Sequence, residues 1–144
     1  MSIAIRKERI TSAEYIDFLK RTDLGSQYPK ERFEERISRL VRSVSISLTA
    51  REENGLLVGV CFGITDFAYW LFITDLGIDR SYTRQGIGKR LMDAALNEAG
   101  GPENIIMYTC ANENAVPFYR NIGMTEADDV FVYNHADWTP FTVE

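Results

Sequence analysis

A chain of 144 residues with 45% hydrophobic and 26% charged side chains has the size of one domain and the apolar content for a core, and no stretch of it is repeated or of low complexity. Its formal net charge of −5 argues against nucleic-acid binding as its main activity. Charges crowd the one short apolar run of MSIAIRKERITSAEY, so neither a signal peptide nor a membrane span is read there, and a single cytoplasmic domain over 1–144 is expected.

The predicted elements alternate between strands and helices. SIAIRKE reads as a first strand, and Thr11 or Ser12 then caps a helix running through Ala13, Ile16, Leu19 and Lys20. DLGSQYP is a loop, and KERFEERISRLVRS places Phe33, Ile37, Leu40 and Val41 at helical spacing. VSISLTARE alternates with period two, ENGL supplies a hairpin turn, and LLVGVCFGITDF returns as an antiparallel partner. AYWLFITDLGID is the next strand, where Gly77 signals a bulge or the close approach of another backbone.

From Gly88 a helix carries Leu91, Ala94, Ala95 and Ala99 on one side with Ile87, and Gly100, Gly101 and Pro102 stop it. NIIMYTC is apolar throughout, so strand, helix and strand make a crossover unit with parallel neighbours. ANENAVPFYRNIG is a short helix; with Asn114 as its cap, Pro117 falls in the first turn and Asn112 is left outside, free for another contact. DVFVYNH alternates and is expected as a closing strand. Cys61 and Cys110 each sit in an apolar run without a partner at metal-ligand or redox spacing, which reads as two buried, reduced thiols.

Chemistry concentrates in SYTRQGIGKRLM. Arg80, Arg84, Lys89 and Arg90 are accompanied by no acid, whereas the chain after Arg120 carries only acids; an anion suits the first region and a cation the second. Small residues at a helix N-terminus let unpaired backbone N–H groups surround an anion, although a glycine-eased connection is the plain structural alternative. A Walker A loop needs glycine at 83 and Ser or Thr at 90, where Thr83 and Arg90 stand, and a dinucleotide fingerprint needs glycine at 91, which is Leu91. Both nucleotide readings fail.

The segment LGIDRSYTRQGIGKRLM resembles the coenzyme-binding motif of the GNAT superfamily of N-acetyltransferases, and NENAVPFYRNIGM resembles its second motif. Leu76, Ile78, Gly86, Gly88, Asn112, Ala115, Tyr119, Gly123 and Met124 fall in register. One position departs: Thr83 stands where the family usually has Gln or Arg, with Arg84 and Gln85 displaced along the chain. The resemblance implies an α/β fold with a mixed sheet of six or seven strands, antiparallel in its N-terminal part, two central strands parallel and splayed, and helices on both faces.

It also implies a co-substrate and roles. Acetyl-CoA would lie with its pantetheine arm along Leu76, Gly77 and Ile78, its pyrophosphate on the amides of Arg84, Gln85, Gly86, Ile87, Gly88 and Lys89, and Asn112 beside the pantetheine; no metal is implied. Acetyl transfer needs a neutral amine, a stabilised oxyanion and a protonated thiolate. Tyr119 is placed near the sulfur as the acid. For the base, Asp75 and Asp66 are candidates by position, an ordered water is an alternative, and His135, the only histidine, lies in the polar tail. The acceptor, a small-molecule or protein amine, is not legible, nor is the oligomeric state, for which a homodimer is one option. A non-catalytic acyl-CoA sensor or an interaction domain is the competing reading.

Overall fold

The computed structural model describes residues 2–144. Five strands form one sheet in the order β1-β2-β3-β4-β5: β1 (Ile3–Lys7), β2 (Ile46–Glu52), β3 (Leu57–Thr65), β4 (Trp70–Ile78) and β5 (Ile106–Thr109). The first four pair antiparallel and β4 pairs parallel with β5. Four helices flank it: α1 (Ser12–Leu19), α2 (Phe33–Ser43), α3 (Ile87–Ala99) and α4 (Val116–Asn121).

Local chemistry accounts for the boundaries. The Thr11 hydroxyl accepts the Glu14 N–H and starts α1. Gly100, at φ 145°, and Gly101 close α3 by donating to the carbonyl of Leu96. The expected hairpin forms with Gly55 at φ 92°.

Each face of the sheet has its own core. Tyr15, Phe18, Leu19, Ile37 and Val41 pack with Val60 and Phe62 under α1 and α2. Leu91, Met92, Ala95 and Ala99 of α3 cover Leu48, Val58, Cys61, Leu71 and Ile73 on the other face, joined by Phe118 and Tyr119 of α4. Helices on both faces are therefore observed as expected, and no helix is long and apolar enough to cross a membrane among the described residues.

The strand count is five where six or seven were expected. DVFVYNH makes no strand pairing among the described residues, and Pro29–Pro140 is an isolated bridge. The tail is fastened at its two ends: Met124 N–H donates to Tyr119 O, while Lys30 N–H reaches Thr139 O and Val143 N–H reaches Gly25 O. Residues 126–137 between these ends are exposed. Cys110 is a second correction, since β5 ends at Thr109 and this thiol is exposed; Cys61 is buried, and both are free. They do flank β4 on opposite sides, as expected.

Candidate functional site

The site is organised by an irregularity in β4. Phe62 pairs with Asp75 while Gly63 pairs with Ile73, so Thr74 is an extra residue in the ladder, a β-bulge. Side chains alternate faces along a strand, and one inserted residue reverses their parity. Leu71 and Ile73 face α3, and unbroken alternation would send Asp75 there as well. The bulge instead turns Asp75 toward α1 and α2, opposite Phe62, and leaves Leu76 and Ile78 on the α3 face. The β4–β5 ladder stops at the same place, with Ile73 opposite Thr109 as its last pair. Beyond it Thr74–Ile78 pairs with β3 alone, and the strands part.

Gly77 contributes to this differently from the bulge expected for it. A Cβ there would lie 2.5 Å from Leu24 Cδ1 and 3.4 Å from the Phe18 ring. Its missing side chain admits side chains of the α1 region, and the irregularity lies at Thr74.

The turn after β4 is fixed at its start and open at its tip. Asp79 accepts the Ser81 N–H at 2.8 Å and pairs with Arg21 Nη1 at 2.5 Å, while Arg80 N–H donates to Arg21 O. Arg84 (φ 66°) and Gly86 (φ 78°) both adopt the left-handed conformation. For Arg84 that is strained by about 1–2 kcal/mol, and for Gly86 it is not. The chain supplies no hydrogen-bond acceptor for the backbone N–H groups of Arg84 to Lys89 among the described residues. Nothing lies within 4 Å of where a Gly86 Cβ would be, whereas at Gly88 it would come within 2.9 Å of the Phe118 ring. One glycine therefore shapes the open cradle, and the other lets α4 pack against the start of α3. Ile87 is buried in the core and Gln85 is exposed. Lys89 pairs with Asp93 at 2.7 Å, Arg90 donates to Ile3 O, and Arg84 makes no ion pair among the described residues.

Tyr119 stands half-buried beside the point where the strands part. Its ring meets Phe118 edge-on at 5.0 Å, and burial raises its phenol above the ordinary value, partly offset by the Thr109 hydroxyl. Thr109 itself donates to Ile73 O at 3.0 Å. The cap of α4 is a correction: it is Ala115, with no side-chain cap bond, where Asn114 was expected. The side-chain oxygen of Asn112 accepts the Ala115 N–H at 2.9 Å in the turn before α4, so that oxygen is engaged.

On the opposite face Asp75 closes a hydrogen-bonded chain. The Tyr28 hydroxyl donates to one carboxylate oxygen and the Thr74 hydroxyl donates to the other at 2.7 Å. Because the Tyr28 proton points at Asp75, Tyr15 must donate in the 2.6 Å contact between the two phenols. Burial raises the Asp75 carboxyl above the ordinary carboxylate value, and the two hydroxyls only partly offset this. Burial likewise pushes both phenols well up. Asp75 lies on a cavity of about 290 Å³, walled by Tyr28, Phe33, Ile37, Leu40 and Trp138, with Arg36 at its rim. Arg36 makes no ion pair among the described residues, whereas its neighbours Arg32 and Arg39 both pair with Glu35.

The other two base candidates stand elsewhere. Asp66 accepts the backbone N–H groups of Ala68, Tyr69 and Trp70, which lower its pKa, and it holds the β3–β4 turn at the end of β4 away from Leu76. His135 is exposed in the tail with its ring 4.6 Å from Tyr133. Sequence reasoning missed Tyr15, Tyr28, Thr74, Arg36 and Trp138. Only the apolar stripe of α2 hinted at this wall, and it read as core.

Comparison with known proteins fits this geometry. The acetyltransferase (GNAT) family model matches residues 11–124, and the chain belongs to that family. An uncharacterised N-acetyltransferase of Bacillus subtilis strain 168, YitH, is 28% identical over 82 residues, which are 57% of this chain and 28% of that protein. The chain thus matches little more than a quarter of the curated relative's length. Among solved structures, the GNAT family acetyltransferase SP0256 of Streptococcus pneumoniae TIGR4 superposes with a TM-score of 0.68 at 24% identity, over 94% of this chain and all of that one (100%). The acetyltransferase AAC(6')-Iy, solved with a bisubstrate analogue joining CoA to acetylneamine, gives 0.68 at 16% identity over 95% of this chain and 100% of its own. These likenesses establish the GNAT fold.

Proposed function

We propose that this protein is an acetyl-CoA-dependent N-acetyltransferase that moves the acetyl group to a primary amine by direct transfer within a ternary complex. The observation that carries the reading is the convergence at the bulge of β4: an open cradle of free amides and Tyr119 on one side, a buried carboxyl at the end of a cavity on the other. Acetyl-CoA, when bound, supplies an acetyl thioester. The free N–H groups of Arg84 to Lys89 suit its pyrophosphate, because amides at a helix N-terminus are already aligned toward an anion. Arg84, which makes no ion pair among the described residues, adds charge at the same turn. The unpaired edge of Leu76, Gly77 and Ile78 offers backbone partners to the pantetheine, and Asn112 flanks it.

Asp75 is the base. Its carboxylate takes the proton that the acceptor nitrogen loses as the new N–C bond forms, and its raised pKa brings it closer to the amine it must deprotonate. Tyr15 and Tyr28 hold it in place through their hydroxyl chain. Tyr119 donates its phenolic proton to the sulfur as the C–S bond breaks, leaving an amide and a free thiol. The acceptor amine enters the cavity between α2 and β4 with its nitrogen toward Asp75. Arg36 at the rim then favours amines bearing an anionic group beyond an apolar spacer that fits between Phe33 and Trp138.

The test is thiol release from acetyl-CoA against a panel of amines, run beside calorimetric binding of the coenzyme. Amine-dependent release supports transfer. Binding without release on any amine favours the sensor reading, and no binding removes both.

A further inference from the structure

Helix α2 is built from two stripes. Ile37 and Val41 turn into the core, whereas Arg32, Arg36, Arg39 and Ser43 follow one another at the four- and three-residue intervals of a single helical face. With Glu35 and Leu40 they line a shallow groove of about 310 Å³ on the outside of the helix. Arg36 and Leu40 also wall the cavity that ends at Asp75, so groove and cavity meet at these two residues. The groove sets three guanidinium groups against one carboxylate. Glu35 is shared between Arg32 at 3.7 Å and Arg39 at 3.9 Å, both beyond hydrogen-bond reach, with the arginines 67% and 71% exposed. Arg36 makes no ion pair among the described residues. Residues 30–43 carry five cations and three acids in a chain of net charge −5, so this face is a positive exception on an acidic protein.

We propose that the acceptor is a lysine side chain in an acidic segment of another protein or peptide, its nitrogen at Asp75 and two acids of the flanking chain on Arg36 and Arg39. The inference rests on the transferase reading above and names its acceptor. A lysine has the four-carbon apolar stem that fits between Phe33 and Trp138, and its backbone then emerges at the rim where the groove begins. In an extended segment alternate side chains stand on one side about 6.6 Å apart. Side chains three or four apart on a helix are spaced by about 5–6 Å, so acids two residues apart meet successive arginines. A small free anion gains little from cations this exposed, because water screens each pair. A chain anchored in the cavity by its lysine brings its acids to the groove at high effective concentration, and the weak contacts then add. The chemistry is unchanged: the lysine nitrogen bonds the acetyl carbon as the C–S bond breaks, its proton going to Asp75 while Tyr119 supplies one to the sulfur.

The experiment is calorimetric binding of two peptides to the full chain in the presence of CoA, with thiol release from acetyl-CoA measured on the same peptides. Each peptide is blocked at both ends and carries one central lysine as its only amine. One has glutamates one and three residues to either side of the lysine, and the other has glutamines there. The expected result is that the glutamate peptide binds about tenfold more tightly at ~50 mM salt, that the difference shrinks at ~0.5 M, and that it is the better acceptor. Arg39→Glu should cut the preference to about threefold or less and leave CoA and the glutamine peptide bound as before. If that variant loses its circular dichroism, Arg39→Gln gives the same comparison. Equal binding of the two peptides overturns the proposal, as does a preference that survives both substitutions at Arg39. So does 6-aminohexanoyl-aspartate, a small amine with two carboxylates, if it matches the glutamate peptide in kcat/KM. Thiol release on simple amines beside equal peptide binding removes this acceptor and leaves the transferase reading intact. Tight binding of the glutamate peptide without release on any amine keeps the docking groove and removes the transfer.

Discussion

The two sides of β4 are built on opposite plans. On the side proposed for the coenzyme the groups on offer are backbone: amides at one helix start, a free strand edge, and a glycine whose conformation is its contribution. Little is buried there, and the groups are consecutive in the chain. On the other side the cavity is made of side chains from residues 28 to 40, 74 and 75, and 138, with Tyr28 and Thr74 hydrogen-bonded to the buried Asp75. A backbone site reads what all members of a ligand class share, such as a pyrophosphate. A side-chain site reads what distinguishes one amine from the next. Substitutions should therefore affect coenzyme binding through conformation on the first side, and rate and acceptor choice through chemistry on the second.

The largest effect should come from the glycines, and they should differ. Gly88→Val drives a branched side chain into Phe118, already 2.9 Å from the position of a Cβ, and should cost about 1–3 kcal/mol of stability as well as coenzyme affinity. Gly86→Val meets no neighbour but must hold φ 78°; affinity should fall on the order of 100-fold, equal to losing one or two charge-assisted hydrogen bonds, with a smaller loss of stability. Calorimetry and thermal melts of both variants separate the two. Equal melts would mean that Gly88 has no packing role.

Next comes Tyr119→Phe. The ring still packs on Phe118, so coenzyme binding should persist while turnover falls about 10²-fold, near the lower end for general acid catalysis because water can substitute. Unchanged turnover in single-turnover assays would leave the thiolate to solvent.

Smaller again is Arg36→Ala. An exposed cation at a cavity rim contributes about 1 kcal/mol, so KM for an amine carrying a carboxylate should rise roughly fivefold while kcat and the KM of an uncharged analogue stay put. An equal rise for both amines would show that Arg36 shapes the cavity and does not read charge.

The smallest effect tests the frame on which both sides hang. Burial pushes the Cys61 thiol up to about 12 with the Asp75 charge adding, while Cys110 is exposed beyond β5. A thiol reagent should label only Cys110 in the folded protein, leaving the melting temperature unchanged. Labelling of Cys61 under native conditions would contradict the packing of β3 against α3.

The difference between the two sides also decides what the sequence revealed. The glycine turn, the crossover helix and the position of Tyr119 follow from local requirements, because a left-handed residue and a helix start leave their mark within a few letters. Asp75 could be nominated from its place before Leu76, but its orientation could not, since it depends on a bulge set by the pairing of Phe62 and Gly63 with β4. Tyr28, Arg36 and Trp138 carry no shared local pattern and meet only in the fold. The cap of α4 escaped the sequence because either of two asparagines can serve the turn before it, and DVFVYNH was misread because alternation describes a strand without supplying its neighbour.

The central claim is that Asp75 takes the acceptor's proton across the bulge, and Asp75→Asn tests it most directly. Asparagine can still accept from Tyr28 and pair with Thr74, so coenzyme binding should be unchanged. The native carboxyl has a raised pKa, so the folded state holds its proton more tightly than the unfolded chain; its effect on stability is unfavourable above the folded pKa and fades as pH falls through it. Removing the charge should therefore leave the protein at least as stable at neutral pH. The measurement is the pH profile of kcat/KM with a working amine. The account predicts a native acid limb above the ordinary carboxylate range, and for Asp75→Asn a rate lower by about 10²–10⁴-fold with that limb gone. A variant that keeps both the rate and the limb would contradict it.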